Sequence, residues 1–143
     1  MSQTTVNPIP QGYHTVTPYL TVKDAGALID FMKKAFDAQE TYRMAAPDGK
    51  VRHAEVRIGD SKLMIGGSDA NRPSMLYLYV ADCDAWYRRA IAAGAKSLRE
   101  PTTEFYGDRS SGVEDAFGIQ WWIGTHVEDV SPEEIARRAA LQK

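Results

Sequence analysis

Tyr19-Leu20-Thr21-Val22-Lys23-Asp24 returns 58 positions later as Tyr77-Leu78-Tyr79-Val80-Ala81-Asp82. In both copies apolar residues alternate with others, the period of a strand with one covered face. In both copies an aspartate follows where it can cap a helix. After the first copy, Ala25, Leu28, Ile29, Met32, Ala35 and Phe36 recur at three- and four-residue spacing. That spacing predicts an amphipathic helix ending near Asp37. After the second copy, Trp86, Ala90 and Ala93 give a shorter helix its apolar side, and Gly94 closes it.

Working outward, the first half continues with short stretches separated by turn residues. Glu40–Ala45 is followed by Pro47-Asp48-Gly49, then Val51–Ile58, Gly59-Asp60 and Lys62–Ile65. This reads as an antiparallel meander. Along Val51–Ile58 the residues Ala54, Val56 and Ile58 share the apolar face, while His53, Glu55 and Arg57 share the other. Thr15–Val22 is the expected first strand. Its Pro18 has no N–H to give to a ladder and belongs at an edge. In the second half, Lys96–Glu100 reads as a strand, Thr102–Asp108 as a loop, Gly112–Ala116 as a strand and Gln120–Thr125 as the last strand. A second alignment, at an offset of 59, matches Ile58-Gly59 with Phe117-Gly118 and Glu55 with Glu114. Each half therefore reads β-α-β-β-β, a duplication.

The expected fold is α+β: two tandem βαβββ modules forming a curved mixed sheet around a cleft, with the helices outside. The expected divisions are a tail over 1–12, a first module over 13–70, a second over 71–128 and a C-terminal helix within 129–143. That helix opens with Ser131-Pro132-Glu133-Glu134, a capping box with proline at the first helical position. It runs through Leu141, with Arg137, Arg138 and Lys143 near the end its dipole makes favourable for cations.

Composition narrows the function. The chain has 143 residues, 17 Lys and Arg against 19 Asp and Glu, and a formal charge of −2. That balance gives no broad basic footprint for nucleic acid. No apolar run reaches the roughly 18 residues of a membrane span, and the first residues lack the pattern of a secretory signal. A cytoplasmic location is expected. The single cysteine, Cys83, forms no internal disulfide and reads as inert. The three histidines, His14, His53 and His126, show no metal-binding spacing, and His14 and His126 read as surface or hydrogen-bonding residues.

The duplicated order resembles the vicinal oxygen chelate superfamily, which includes glyoxalase I, bleomycin- and fosfomycin-resistance proteins and extradiol dioxygenases, in its PhnB-like, glyoxalase-like branch. The resemblance spans about Tyr13 to Val130. It is carried by TPYLTVKDAGALIDFMKKAF (17–36), HAEVRIGDSKLMIGG (53–67) and YGDRSSGVEDAFGIQWWIGTHVEDVSPEE (106–134). It implies a ligand cavity inside a curved sheet and a homodimer. Metal-dependent members use His, Gln or Glu on the first and last strand of each module. The corresponding positions here are Thr17, Leu63, Met75 and Trp122. None is an imidazole or carboxylate, so the family's metal is not expected.

The candidate ligand contacts are Thr17, Tyr19, Leu63, Met75, Tyr77, Tyr79 and Trp122 on strands, with Tyr106 and Arg109 at a loop mouth. An aromatic wall with a few hydroxyls suits a small organic molecule, and Arg109 suits an anionic group. His53, Glu55 and Glu114 are the candidates for acid–base chemistry. Three functions stand side by side: metal-free binding of a small molecule, a metal-dependent lyase or dioxygenase, and a non-catalytic dimeric interaction module. No cofactor is expected under the first reading, and a divalent metal under the second.

Overall fold

The computed structural model describes residues 6–142. The elements run β1 (Tyr19–Val22), α1 (Ala25–Phe36), β2 (Gln39–Ala45), β3 (Val51–Ile58), β4 (Ser61–Gly67), β5 (Ser74–Tyr79), α2 (Cys83–Ala92), β6 (Lys96–Thr103), β7 (Asp108–Glu114), β8 (Ile119–His126) and α3 (Pro132–Ala140). The architecture is α+β, with two four-stranded mixed sheets ordered β1-β4-β3-β2 and β5-β8-β7-β6. In each sheet the first strand pairs parallel with the last, and the other pairings are antiparallel. The chain divides into two compact units between Asn71 and Arg72, and Lys34–Phe36 group with the second.

The periodicities hold residue by residue. The α1 residues Ala25, Leu28, Ile29, Met32, Ala35 and Phe36 are buried. Asp24 caps the helix by accepting from the Ala27 N–H, and Asp37 ends it in the left-handed conformation. Asp82 and Ser131 cap α2 and α3 in the same way. In the first sheet, Leu20, Val22, Ala54, Val56, Ile58, Leu63 and Ile65 form the buried face. In the second unit, α2 packs on β6, β7 and β8. There Val113, Ile119, Trp121 and Ile123 are fully buried, with Cys83 and Ala90 from the helix. Burial of aliphatic and aromatic side chains at this level contributes about 1.5–3 kcal/mol for each large residue.

Several boundaries differ from the sequence reading, each for a physical reason. The first strand begins at Tyr19 rather than Thr15, and Val16 is exposed. Pro18 lies just outside it, lending only its carbonyl, which accepts from the Met64 N–H at 2.9 Å. β6 extends through Pro101 to Thr103. It can do so because it is the outer strand of its sheet and its register shifts there. β7 begins at Asp108, inside the expected loop. Its first half, Asp108-Arg109-Ser110-Ser111, has no apolar alternation, yet Asp108, Ser110 and Ser111 are buried. Polar groups can be buried there because each has a partner. The final helix closes at Ala140, with Leu141 as its cap. Lys143 and residues 1–5 lie outside the described residues.

Candidate functional site

Alternation along the second sheet turns Trp121, Ile123 and Val113 toward α2, and the residues between them the other way. That second face carries Tyr77 and Tyr79 from β5, Trp122 and His126 from β8, Asp108, Ser110 and Gly112 from β7, and Arg99 from β6. Cross-strand register sets Asp108 opposite His126, Ser110 opposite Gly124 and Gly112 opposite Trp122. Two glycines let rings lie flat on the sheet. A Cβ at Gly124 would stand 2.2 Å from the Tyr77 hydroxyl, and one at Gly112 would stand 2.7 Å from the Trp122 ring. The Arg99 guanidinium sits over the Trp122 ring at 5.1 Å, pairs with Glu104 at 3.0 Å and donates to Ser110.

Asp108 is the centre of a polar cluster. Its Oδ2 accepts from the hydroxyls of Tyr77 at 3.0 Å and Tyr79 at 2.8 Å. Its Oδ1 meets His126 Nδ1 at 3.0 Å, and His126 Nε2 meets Asp129 Oδ1 at 2.7 Å. The Asp108 side chain is 7% exposed, whereas that of His126 is half exposed. Burial pushes the Asp108 carboxyl up, but the hydrogen bonds from His126, Tyr79 and Tyr77 outweigh it and hold it below its ordinary value. The same carboxylate, then Asp129, raises the His126 imidazole above its ordinary range. Desolvation and the Asp108 hydrogen bond raise the Tyr77 hydroxyl. For Tyr79 the hydrogen bond to Asp108 is the main cause of the upward shift. With a carboxylate on each nitrogen, His126 donates to both when it is protonated.

A hollow of about 440 Å³ opens beside this cluster, lined by Tyr79, Tyr106, Asp108 and His126, with Val130 and Ile135 as an apolar wall. The Tyr106 loop and α3 make its rim. Arg138 of α3 donates to the Phe105 carbonyl at 2.9 Å and pairs with Glu128 at 2.8 Å and Glu134 at 3.0 Å. Gly107, at φ 103°, accepts from the N–H groups of Val127 and Glu128, which ties the Tyr106 loop to the segment leading into α3.

The first unit carries a different chain of groups on its open face. Tyr13 donates to Glu55 Oε1, Glu55 Oε2 lies 3.5 Å from His53 Nε2, and His53 Nδ1 lies 3.4 Å from the Tyr19 hydroxyl. Tyr19 lies over Gly66 as Tyr77 lies over Gly124. Both ring–glycine pairs carry the 58-residue offset of the repeat.

The sequence-based candidates are distributed as follows. Tyr19, His53 and Glu55 come together in the first unit, and Tyr77, Tyr79 and Tyr106 gather around Asp108 in the second. Met75 is exposed on β5, and Glu114 ends β7 between Lys96 and Gln120. Thr17 precedes β1, with its hydroxyl donating to the His14 carbonyl at 3.3 Å. Leu63 is buried on the opposite face of β4 from Tyr19's partner Gly66, so the open-face residue there is Met64. Arg109 points away from the hollow. Its guanidinium holds Asp84 of α2 through Nε at 2.7 Å and Nη2 at 2.9 Å, and this bidentate pair explains a cation inside β7. Cys83 is buried against Ser111 and the Ile123 carbonyl, and burial pushes its thiol up.

The sequence pattern leaves Asp108 in a loop and His126 beyond the last strand, whereas Asp108 begins β7 and His126 ends β8. Counting by twos from Trp122 through Gly124 reaches His126 on the same face, which is the signal that could have found it. The positions Thr17, Leu63, Met75 and Trp122 supply no imidazole or carboxylate. Among the described residues no group of three or more His, Cys, Asp or Glu is arranged to hold a metal ion. The residues present do not fit the divalent metal of the resembled enzymes.

Comparison with known proteins agrees with this architecture. Residues 12–123 match the family described as the glyoxalase/bleomycin resistance protein/dioxygenase superfamily. An uncharacterized protein of Mycobacterium bovis, Mb0911c, is 38% identical over 141 residues, covering 89% of this chain and 93% of its own. Among solved structures, TioX from Micromonospora sp. ML1 superposes with a TM-score of 0.69 at 22% identity, over 78% of this chain and 97% of that one. The fosfomycin resistance protein FosX from Listeria monocytogenes, solved with Mn(II) and sulfate, gives 0.65 at 19% identity, over 88% of this chain and 97% of its own. At these identities the two structures establish likeness of fold.

Proposed function

Since the chain belongs to the glyoxalase/bleomycin resistance protein/dioxygenase superfamily, we propose that it is a metal-free member binding a small aromatic or amphipathic molecule on the open face of its second unit. The observation that carries this reading is the hollow bounded by Tyr79, Tyr106 and the Asp108–His126 pair. It combines flat apolar surface with a few fixed polar groups, the usual make-up of a small-molecule site. The network fixes those polar groups in advance, so a ligand meets an ordered wall. Within the superfamily, the motifs fit the PhnB-like, glyoxalase-like branch.

A homodimer belongs to the same proposal. Each sheet ends in strands paired on one side only, and Tyr19 and Met75, outside the hollow, are exposed. Open edges and exposed apolar side chains are features a second copy would cover. No helix among the described residues is long and apolar enough to cross a membrane. A cytoplasmic location is part of the proposal.

Two measurements test the reading. A thermal-shift screen of small aromatic acids, phenols and amines should raise the melting temperature for at least one class, and Tyr79→Ala should remove that shift. Elemental analysis of protein purified without added metal should find substoichiometric Ni, Zn, Mn and Fe. A stoichiometric metal whose chelation abolishes ligand binding would overturn the metal-free reading.

A further inference from the structure

His126 lines the hollow with a half-exposed ring bonded to a carboxylate on each side. Asp108 is nearly enclosed and already accepts three donors, from Tyr77, Tyr79 and His126 Nδ1. Both tyrosine hydroxyls are turned inward to that carboxylate. His126 Nε2 belongs to a half-exposed ring, and its acceptor is Asp129, which lines the hollow with Ser131. Asp129 is a weak occupant of that place. Its side chain is fully exposed, and it stands in the short linker between β8 and α3. Exposed ion pairs of this kind add little stability, because water and salt compete with them. The lining of the hollow, however, is apolar on the side of Tyr79, Tyr106 and Ile135. A free carboxylate attached to a flat apolar body would make the same hydrogen bond and also bury its body.

We propose that His126 Nε2 is the anchor for a carboxylate-bearing ligand, and that Asp129 is an internal stand-in which the ligand's carboxylate displaces. The inference rests on the reading that this hollow is the ligand site, and it adds the chemical class of the ligand. Hydrogen-bond complementarity favours a carboxylate over an amine at this atom: a protonated His126 Nε2 donates, and an ammonium group only donates. An amine would instead have to take Asp129 from His126, the alternative that benzylamine tests.

Benzoate, benzamide and benzylamine share a body and differ in charge, so together they test the assignment. Each is titrated into the full chain while the ring resonances of His126, Tyr79 and Tyr106 are followed by NMR. Benzoate should bind tightest. Asp129→Asn, a change at a fully exposed side chain, should tighten benzoate about three- to fivefold by removing the competitor. His126→Gln should weaken it about tenfold or more, the size of a lost charged hydrogen bond. Equal binding of benzamide, preference for benzylamine, or no tightening in Asp129→Asn would overturn the anchor assignment while leaving the hollow as a binding site. If none of the probes moves the Tyr79 and Tyr106 resonances, the site itself is wrong and the anchor falls with it.

Discussion

The two units share a framework and differ in what they have built on it. Both lay a tyrosine ring over a glycine at matching places of the repeat, Tyr19 over Gly66 and Tyr77 over Gly124. Both bring a histidine and a carboxylate to the open sheet face. In the first unit the links at His53 are long, 3.4 and 3.5 Å. In the second, four contacts of 2.7–3.0 Å run through Asp108 and His126. The difference follows from burial. Asp108 is enclosed under Tyr77, Tyr79 and His126, beside the hollow that Tyr106 and Ile135 of α3 line. The ring-over-glycine device is common to both units, and the tightly bonded carboxylate belongs to the second alone of these two faces.

The largest expected separation between the units comes from removing the central carboxylates. Asp108→Ala strands two hydroxyls and an imidazolium and should cost about 2–3 kcal/mol. Glu55→Ala loses the Tyr13 hydrogen bond and the 3.5 Å contact to His53, on a less enclosed carboxylate, and should cost about 1 kcal/mol. Chemical denaturation of both variants measures the contrast, and equal losses would break it. Next in size, Gly124→Ala forces a Cβ against Tyr77, which Asp108 holds in place, and should cost about 1–3 kcal/mol. Gly66→Ala meets Tyr19, whose bond to His53 is looser, so the ring can move and the loss should be smaller.

The pH dependence gives a third separation. The Asp108 carboxyl is held below its ordinary value. Its contribution is therefore present above the usual carboxylate range and lost as pH falls through the lower folded value. The His126 imidazole is raised, so its contribution is complete below the usual imidazole range and lost as pH rises through the higher folded value. An NMR titration of His126 should show a midpoint above 6.5, its ordinary value, that drops in Asp108→Asn. The most local effect is expected at Ser131, the cap of α3. Ser131→Ala should cost about 1 kcal/mol, seen as faster amide exchange confined to α3.

The framework was legible in the sequence because it rests on periodicity. Leu28, Ile29 and Met32 announced α1, Ala54, Val56 and Ile58 announced the buried face of β3, and Asp24, Asp82 and Ser131 announced three helix starts. The site was legible where it used aromatic alternation, at Tyr77 and Tyr79, and at Tyr106 in the loop that opens beside them. Asp108 and His126 escaped because they begin and end strands, where the pattern runs out and register alone sets the pairing. Arg109 and Ser111 hid the first half of β7 because partners on α2 and β8, distant in sequence, make polar residues tolerable inside. Counting from turn glycines put Leu63 on the wrong face by a single residue, which is all that a two-residue period needs to invert a side chain.

The central claim is that the second unit, and not the first, reads a ligand. It is tested most directly by one NMR titration of protein with labelled tyrosine and histidine rings, using benzoate. The account predicts saturable shifts at Tyr79, Tyr106 and His126, with Tyr13, Tyr19 and His53 unmoved. Shifts confined to Tyr13, Tyr19 and His53, or none at any of the six, would contradict it.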